Sequence, residues 1–219
     1  VFKWVGGKFS ALPIIFEHLP HGKRLIEPFV GGGAVFTNAG FKSNLLNDIN
    51  NDLINFYQTL QREGHSLITL AYRFFQDYNS ADAFLNVRNA FNNGAYDSLH
   101  HAAAFLYLNR HCFNGVTRYN RKGEFNVGYG KQKSPHFPLA EMEAFLADDI
   151  SKYSEFVSGD FAGVIEAAGN DDVIFCDPPY EPLPDTTGFT NYSGHSFRFE
   201  DQQRLVSLLV DAHRRGAKI

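Results

Sequence analysis

The chain has 219 residues and is 44% hydrophobic, enough to bury one full core with a smaller subdomain, yet no run in it is long enough to span a membrane. A net charge of −4 argues against a globally basic nucleic-acid binder, and the two cysteines, Cys112 and Cys176, match no metal-ligand spacing. Val1 reads as a boundary rather than a natural start, no secretory leader is visible, and a reduced cytoplasmic setting fits.

Taken in order, Lys3-Trp4-Val5-Gly6-Gly7-Lys8 sets an aromatic ring and two cations around a flexible turn. Leu25-Ile26-Glu27-Pro28-Phe29 reads as a short strand running into Val30-Gly31-Gly32-Gly33, after which a helix is expected from Ala34-Val35-Phe36. Leu45-Leu46-Asn47-Asp48 is the next strand and ends in an acid; Asp52 to Leu60 has apolar residues at helical spacing. The glycine loop permits close backbone approach to a ligand, and Asp48 stands where an acid grips ribose hydroxyls. Phe36 occupies the place of the third glycine of G-x-G-x-x-G, which disfavours a pyrophosphate-binding dehydrogenase and leaves open a nucleoside cofactor without phosphates, such as S-adenosylmethionine.

From about Phe56 to Phe145 the strand–helix alternation breaks. Phe84, Val87 and Phe91, and later Ala102 to Leu108, are at helical spacing. A hairpin is expected over Val116-Thr117-Arg118-Tyr119, Arg121-Lys122-Gly123 and Glu124-Phe125-Asn126-Val127. Around it lie Arg110, Arg118, Arg121, Lys122, Lys131 and Lys133 against Glu124, interleaved with Phe113, Tyr119, Phe125 and Tyr129, a plausible nucleic-acid footprint. His100, His101 and His111 lack companion carboxylates and read as surface or packing histidines, so no metal is expected.

Alternation resumes with Glu155 to Asp160, a helix through Val164-Ile165, and the apolar strand Val173-Ile174-Phe175-Cys176, in which Cys176 is read as a small buried hydrophobe. Asp177-Pro178-Pro179-Tyr180 follows directly. Two prolines force a stiff, extended step, leaving a carboxylate, fixed carbonyls and a ring at the carboxyl end of a strand. A carboxylate and a carbonyl there can accept hydrogen bonds from an NH2 group and aim its lone pair, while the ring stacks on the attached base. Asn191-Tyr192 and Phe197 lie in the polar stretch beyond, where a lid or a plain loop are both open. Gln202 to Arg215 is an amphipathic helix, and Gly216 to Ile219 reads as a helix stop opening another strand.

Together, Lys3 to Lys8, Glu27 to Gly33, Asn47-Asp48-Ile49-Asn50, Leu108-Asn109-Arg110 with Asn114-Gly115 and Arg118-Tyr119-Asn120, and Asp177-Pro178-Pro179-Tyr180 resemble the Dam family of DNA adenine-N6 methyltransferases, in order and over essentially the whole chain. The resemblance implies an α/β, Rossmann-like S-adenosylmethionine-dependent core at 1–56 and 145–219. A mostly helical target recognition domain with a β-hairpin is then inserted at 57–144. It implies methyl transfer to adenine N6 in GATC of double-stranded DNA by base flipping, by a monomeric cytoplasmic, nucleoid-associated protein. Asp177, Pro178, Pro179 and Tyr180 are then catalytic; Trp4, Lys8, Phe29, Gly31, Gly33, Asp48 and Asp177 contact the cofactor. Lys3, Phe113, Asn114, Val116, Arg118 and Asn120 contact DNA, with Arg118 a bidentate reader of guanine and Phe113 a wedge beside the extruded base.

Gly128 stands where close relatives are expected to carry proline, and Phe113 where they carry tyrosine. The family core is expected to continue past Ile219 by at least two strands, making this chain a fragment. The competing readings are an RNA base amino-methyltransferase, disfavoured by the long insert between Gly33 and Asp177, and a catalytically silent DNA-binding module.

Overall fold

A computed structural model describes residues 1–147, 149–179 and 197–219. In chain order its elements are α1 (Leu12–His18), β1 (Arg24–Glu27), β2 (Asn44–Asp48), α2 (Asn51–Glu63), α3 (His65–Asp77), α4 (Ala81–Asn92), α5 (Ser98–His111), α6 (Leu139–Ala147), α7 (Asp149–Lys152), β3 (Ser154–Ser158), α8 (Phe161–Glu166), β4 (Asp172–Ile174) and α9 (Phe199–Arg214).

The strands form a parallel sheet in the order β3-β2-β1-β4. Beyond α9 the chain joins it: Lys218 bridges Val173 in parallel, and its carbonyl accepts the Ile174 N–H at 2.8 Å. This is the strand start expected after Gly216, and it extends the order to one that reverses between β1 and β4. Side chains alternate across the sheet, as a period of two requires. Leu25, Leu46, Phe156 and Val173 enter one apolar cluster; Ile26, Leu45 and Ile174 enter the other with Phe161, Val164, Leu205 and Ala212 of α8 and α9. With both faces covered, β1 and β2 need no polar face, which is why they read as apolar runs.

The first cluster continues from the sheet through α2 into the helical insert. Tyr57 stacks on Phe156, with ring centroids 5.0 Å apart, while Leu53, Phe56 and Leu60 are fully buried. α5 packs among α2, α3 and α4, and every residue from Ala102 to His111 is buried, so it has no polar face.

Three local expectations are corrected. After Gly33 the chain makes turns through Ala34 to Asn38 rather than a helix. Thr37 Oγ1 donates to the Gly33 carbonyl at 2.7 Å and Asn38 Nδ2 to that of Ala34 at 2.8 Å, competing for acceptors a growing helix needs. The hairpin forms, but as isolated bridges, Tyr119 to Phe125 and Cys112 to Tyr129, rather than as ladders. Its outer edge is taken by α4: Asn92 both accepts from the Phe125 N–H and donates to its carbonyl, and Arg88 donates to the Val127 carbonyl. Cys176 is half-buried rather than buried, and desolvation, with the Asp177 charge adding, pushes its thiol up to about 12.

Phe36 is fully buried, edge-on to Tyr57, Phe145 and Phe156 behind the glycine loop. Phe36→Ala is expected to cost about 3–5 kcal/mol, seen as a lowered midpoint in urea unfolding with an unchanged slope.

Candidate active site

The carboxyl ends of β2, β1 and β4 lie side by side, and each carries an acid at or just past its end: Asp48, Glu27 and Asp177. The crevice of an open α/β sheet falls here, at the point where strand order reverses. Asn47 fastens it from below, its Nδ2 donating to the carbonyls of Pro28 at 2.9 Å and Gly159 at 3.1 Å.

Asp48 shapes the loop. Its Oδ2 accepts the Gly31 N–H and its Oδ1 the Asn50 N–H, both at 2.9 Å, while burial pushes its carboxyl pKa up. Gly31 and Gly33 have positive φ, +48° and +75°, where a side chain is strained. Space forbids one too: a Cβ on Gly31 would lie 2.9 Å from Trp4 Nε1, and one on Gly33 2.5 Å from the Phe36 ring. Trp4 thus covers the loop, and Tyr57 Oη donates to the Gly32 carbonyl at 3.2 Å behind it.

Asp177 follows β4, whose pairing continues one residue as the Phe175 N–H reaches the Ile26 carbonyl at 3.0 Å. Lys8 Nζ lies 2.5 Å from Asp177 Oδ2, joining the N-terminal turn to the Asp-Pro-Pro turn after β4. Pro178 is half-buried and Pro179 exposed. Tyr180, Asn191 and Tyr192 lie outside the described residues. Phe29 packs on Phe161 and Phe197 at 5.4 and 5.8 Å, against the second apolar cluster.

Glu27 escaped the sequence reading as a site residue, though an acid in an apolar strand was the available signal. It is 2% exposed, and its Oε1 has no hydrogen-bond partner among the described residues. Desolvation first, opposed by the Phe36 backbone N–H and reinforced by the Asp177 charge, raises its pKa to about 8. It is therefore protonated at neutral pH.

The second assembly surrounds the hairpin. Phe113 is 60% exposed, and Asn114 beside it adopts φ +54°. Lys3 is exposed but held: Asn109, fully buried in α5, accepts its N–H, donates to its carbonyl at 2.8 Å, and reaches the Gly115 carbonyl and Thr117 Oγ1. A lone amide at the end of an apolar helical run was the sequence signal for Asn109. Arg118 Nε donates to Asn126 Oδ1 at 2.9 Å, which orients the guanidinium. Val116 is half-buried, and the side chain of Asn120 serves the turn itself, accepting the Lys122 and Glu124 N–H groups.

The basic, aromatic block is corrected in part. Arg110 is buried and donates to the Val1 carbonyl, so it presents no charge to a ligand. Phe125 is core, Tyr119 bonds Asp52 and Tyr129 bonds Asn79, which leaves Phe113 as the block's exposed ring. Arg121, Lys122, Lys131 and Lys133 are exposed. His111 is buried against Phe75 and Tyr107, and desolvation holds its pKa down to about 4, so it packs as a neutral ring. Among the described residues no cluster of ligands could hold a metal ion, and no helix is long and apolar enough to cross a membrane.

Residues 4–219 match the family of D12 class N6 adenine-specific DNA methyltransferases. The chain is 75% identical over its whole length to the DNA N-6-adenine-methyltransferase of Escherichia phage P1, of which it spans 29%. It is 44% identical over 207 residues to the DNA adenine methylase of Vibrio cholerae and 42% over 207 residues to that of Serratia marcescens, covering 94% of this chain and 74% and 76% of theirs.

Glu27's folded pKa of about 8 lies above its ordinary 4.5, so between these values the native state holds a proton that the unfolded chain releases. Stability is expected to fall as pH rises from 4.5 to 8, and Glu27→Gln to flatten that slope. Urea unfolding at a series of pH values reads it; equal slopes in both proteins would remove the buried proton.

Proposed function

The chain belongs to the D12 class N6 adenine-specific DNA methyltransferases, and from that premise we propose that it transfers a methyl group from S-adenosylmethionine to adenine N6 in GATC of double-stranded DNA, with the target base flipped out of the duplex. The observation that carries this reading is the meeting of Asp48, Asp177 and the Trp4-covered glycine loop at the sheet's reversal point. Carboxylates there repel a pyrophosphate and attract a cationic nucleoside, and Trp4 lies too close over Gly31 and Gly32 for a phosphate cradle.

S-adenosylmethionine supplies a methyl already activated on a sulfonium, so the protein's task is positioning and electrostatics. Trp4, Gly31, Gly33 and Asp48 would hold it, Phe29 would line the site from its packed position, and Lys8 would complement its carboxylate. The Asp177 carboxylate and the Pro178 carbonyl would accept the hydrogens of the target NH2, turning its lone pair toward the methyl. Tyr180 keeps the stacking role that the Asp-Pro-Pro-Tyr turn suggests, worth roughly 1–3 kcal/mol against an extrusion cost of a few.

We assign target recognition to residues 57–144, with the core at 1–56 and 145–219. Arg118 would read a guanine edge, Phe113 would fill the gap the adenine leaves, and Lys3, Asn114, Val116 and Asn120 would lie along the same duplex. A monomer working in the cytoplasm at the nucleoid suits such a task.

Tritiated-methyl transfer from S-adenosylmethionine to duplexes with and without GATC, run beside RNA, tests donor, polymer and sequence together; label in RNA alone would reverse the assignment. In the full protein, Asp177→Ala is expected to abolish transfer while DNA binding survives. Asp48→Ala should raise the cofactor Kd with little change in DNA affinity, measured by calorimetry and fluorescence anisotropy. Arg118→Ala should cost roughly 1–3 kcal/mol at one base pair only, whereas uniform weakening across sequences would make it a phosphate contact.

A further inference from the structure

Asp52 has no part in the chemistry above, yet it touches both halves of the molecule. It stands in the first turn of α2, where an acid is favoured by the helix dipole, and it accepts from two elements at once. His101 Nε2 of α5 lies 2.8 Å from its Oδ1, and the hydroxyl of Tyr119, in the hairpin, lies 2.5 Å from its Oδ2. The His101 ring is fixed in turn by stacking on Phe91, with centroids 4.1 Å apart.

Each end of this contact leads to a proposed function. Upstream, Asn50 donates its N–H to Asp48 and caps α2 by accepting the Leu53 N–H at 3.0 Å, so the helix that carries Asp52 starts from the loop-holding acid. Downstream, Tyr119 adjoins Arg118, whose guanidinium is aimed by Asn126 and whose carbonyl accepts the Asn126 N–H at 3.1 Å. The hairpin is already fastened to the core by Phe125 and Val127. The Tyr119 hydroxyl is not needed to bury it, and what that bond adds is orientation.

We propose that Asp52 is a positioning residue for sequence reading: through Tyr119 it sets Arg118 relative to the cofactor strand. Discrimination between DNA sequences therefore depends on it, while affinity for DNA as such does not. The proposal rests on the assignment of the hairpin as the DNA reader.

The test uses Tyr119→Phe, Asp52→Ala and their combination in the full protein. It compares kcat/KM on a GATC duplex and on a duplex with one outer base pair changed, with Kd for S-adenosylhomocysteine and thermal unfolding alongside. Each single variant is expected to lower the discrimination ratio about tenfold, the scale of one misaligned base contact, with analogue affinity within about twofold of wild type. The double variant should be no worse than either single, because both remove the same contact. His101→Gln, which can still donate to Oδ1, should keep the ratio. Unchanged ratios in Tyr119→Phe, parallel losses on both duplexes, or losses that add in the double variant would each overturn the proposal. A wild type indifferent to the base change would instead sink the reading of DNA sequence itself, and the proposal with it. Tyr119→Phe removes a single oxygen and keeps its ring against Phe125, so it carries the test even if Asp52→Ala fails to fold.

Discussion

The hydrogen bonds that Asp48 accepts from Gly31 and Asn50 are the constraint on which the site depends. A half-buried carboxyl needs donors, and here they are the backbone amides of Gly31, in the loop after β1, and Asn50, at the start of α2. By taking the Gly31 N–H it draws the loop after β1 across the end of β2, and by taking the Asn50 N–H it fixes the start of α2. The loop so placed has Gly31 in the left-handed conformation and Trp4 seated over it, and the N-terminal turn that carries Trp4 also brings Lys8 to Asp177.

The electrostatics of the crevice follow from the same packing. Asp48, Asp177 and Glu27 crowd the ends of neighbouring strands, and such a group cannot hold every charge in a poorly solvated place. Glu27, the most buried, stays protonated, while Asp177 is paired with Lys8. Acidity that would be a liability beside a phosphate is an asset beside a cationic ligand. On the proposed reading, an acceptor fixed at the end of β4 suits an amino group that gives up one proton as its new N–C bond forms.

At the other end of the molecule, buried and half-buried polar side chains do the aiming. Asn109 ties Lys3 to the turn that displays Phe113, Asn92 and Arg88 hold the hairpin's edge where a neighbouring strand would otherwise be, and Asp52 ties Tyr119 to α2, the helix that follows β2. A buried polar group accepts few arrangements, because each alternative leaves a donor or acceptor unpaired. Exposed Phe113, Arg121 and Lys122 are consequently carried on a frame with little freedom of orientation.

What the sequence determined is what short-range chemistry decides. Apolar runs at Leu25, Leu45 and Val173 had to be buried parallel strands, glycines and prolines had to end them in loops, and acids at fixed distances beyond the strands had to meet on one edge of the sheet. Tertiary structure alone decided which polar and aromatic residues were left over for function. Arg110, Phe125 and Tyr119 read as surface in a basic block, and contacts with Val1, α4 and Asp52 took them out of it. The helix expected after Gly33 lost to side chains that capture its carbonyls, and the proton on Glu27 comes from the strands and helices that exclude water from it. Exposure and desolvation are properties of partners distant in the chain, and no local pattern of residues encodes them.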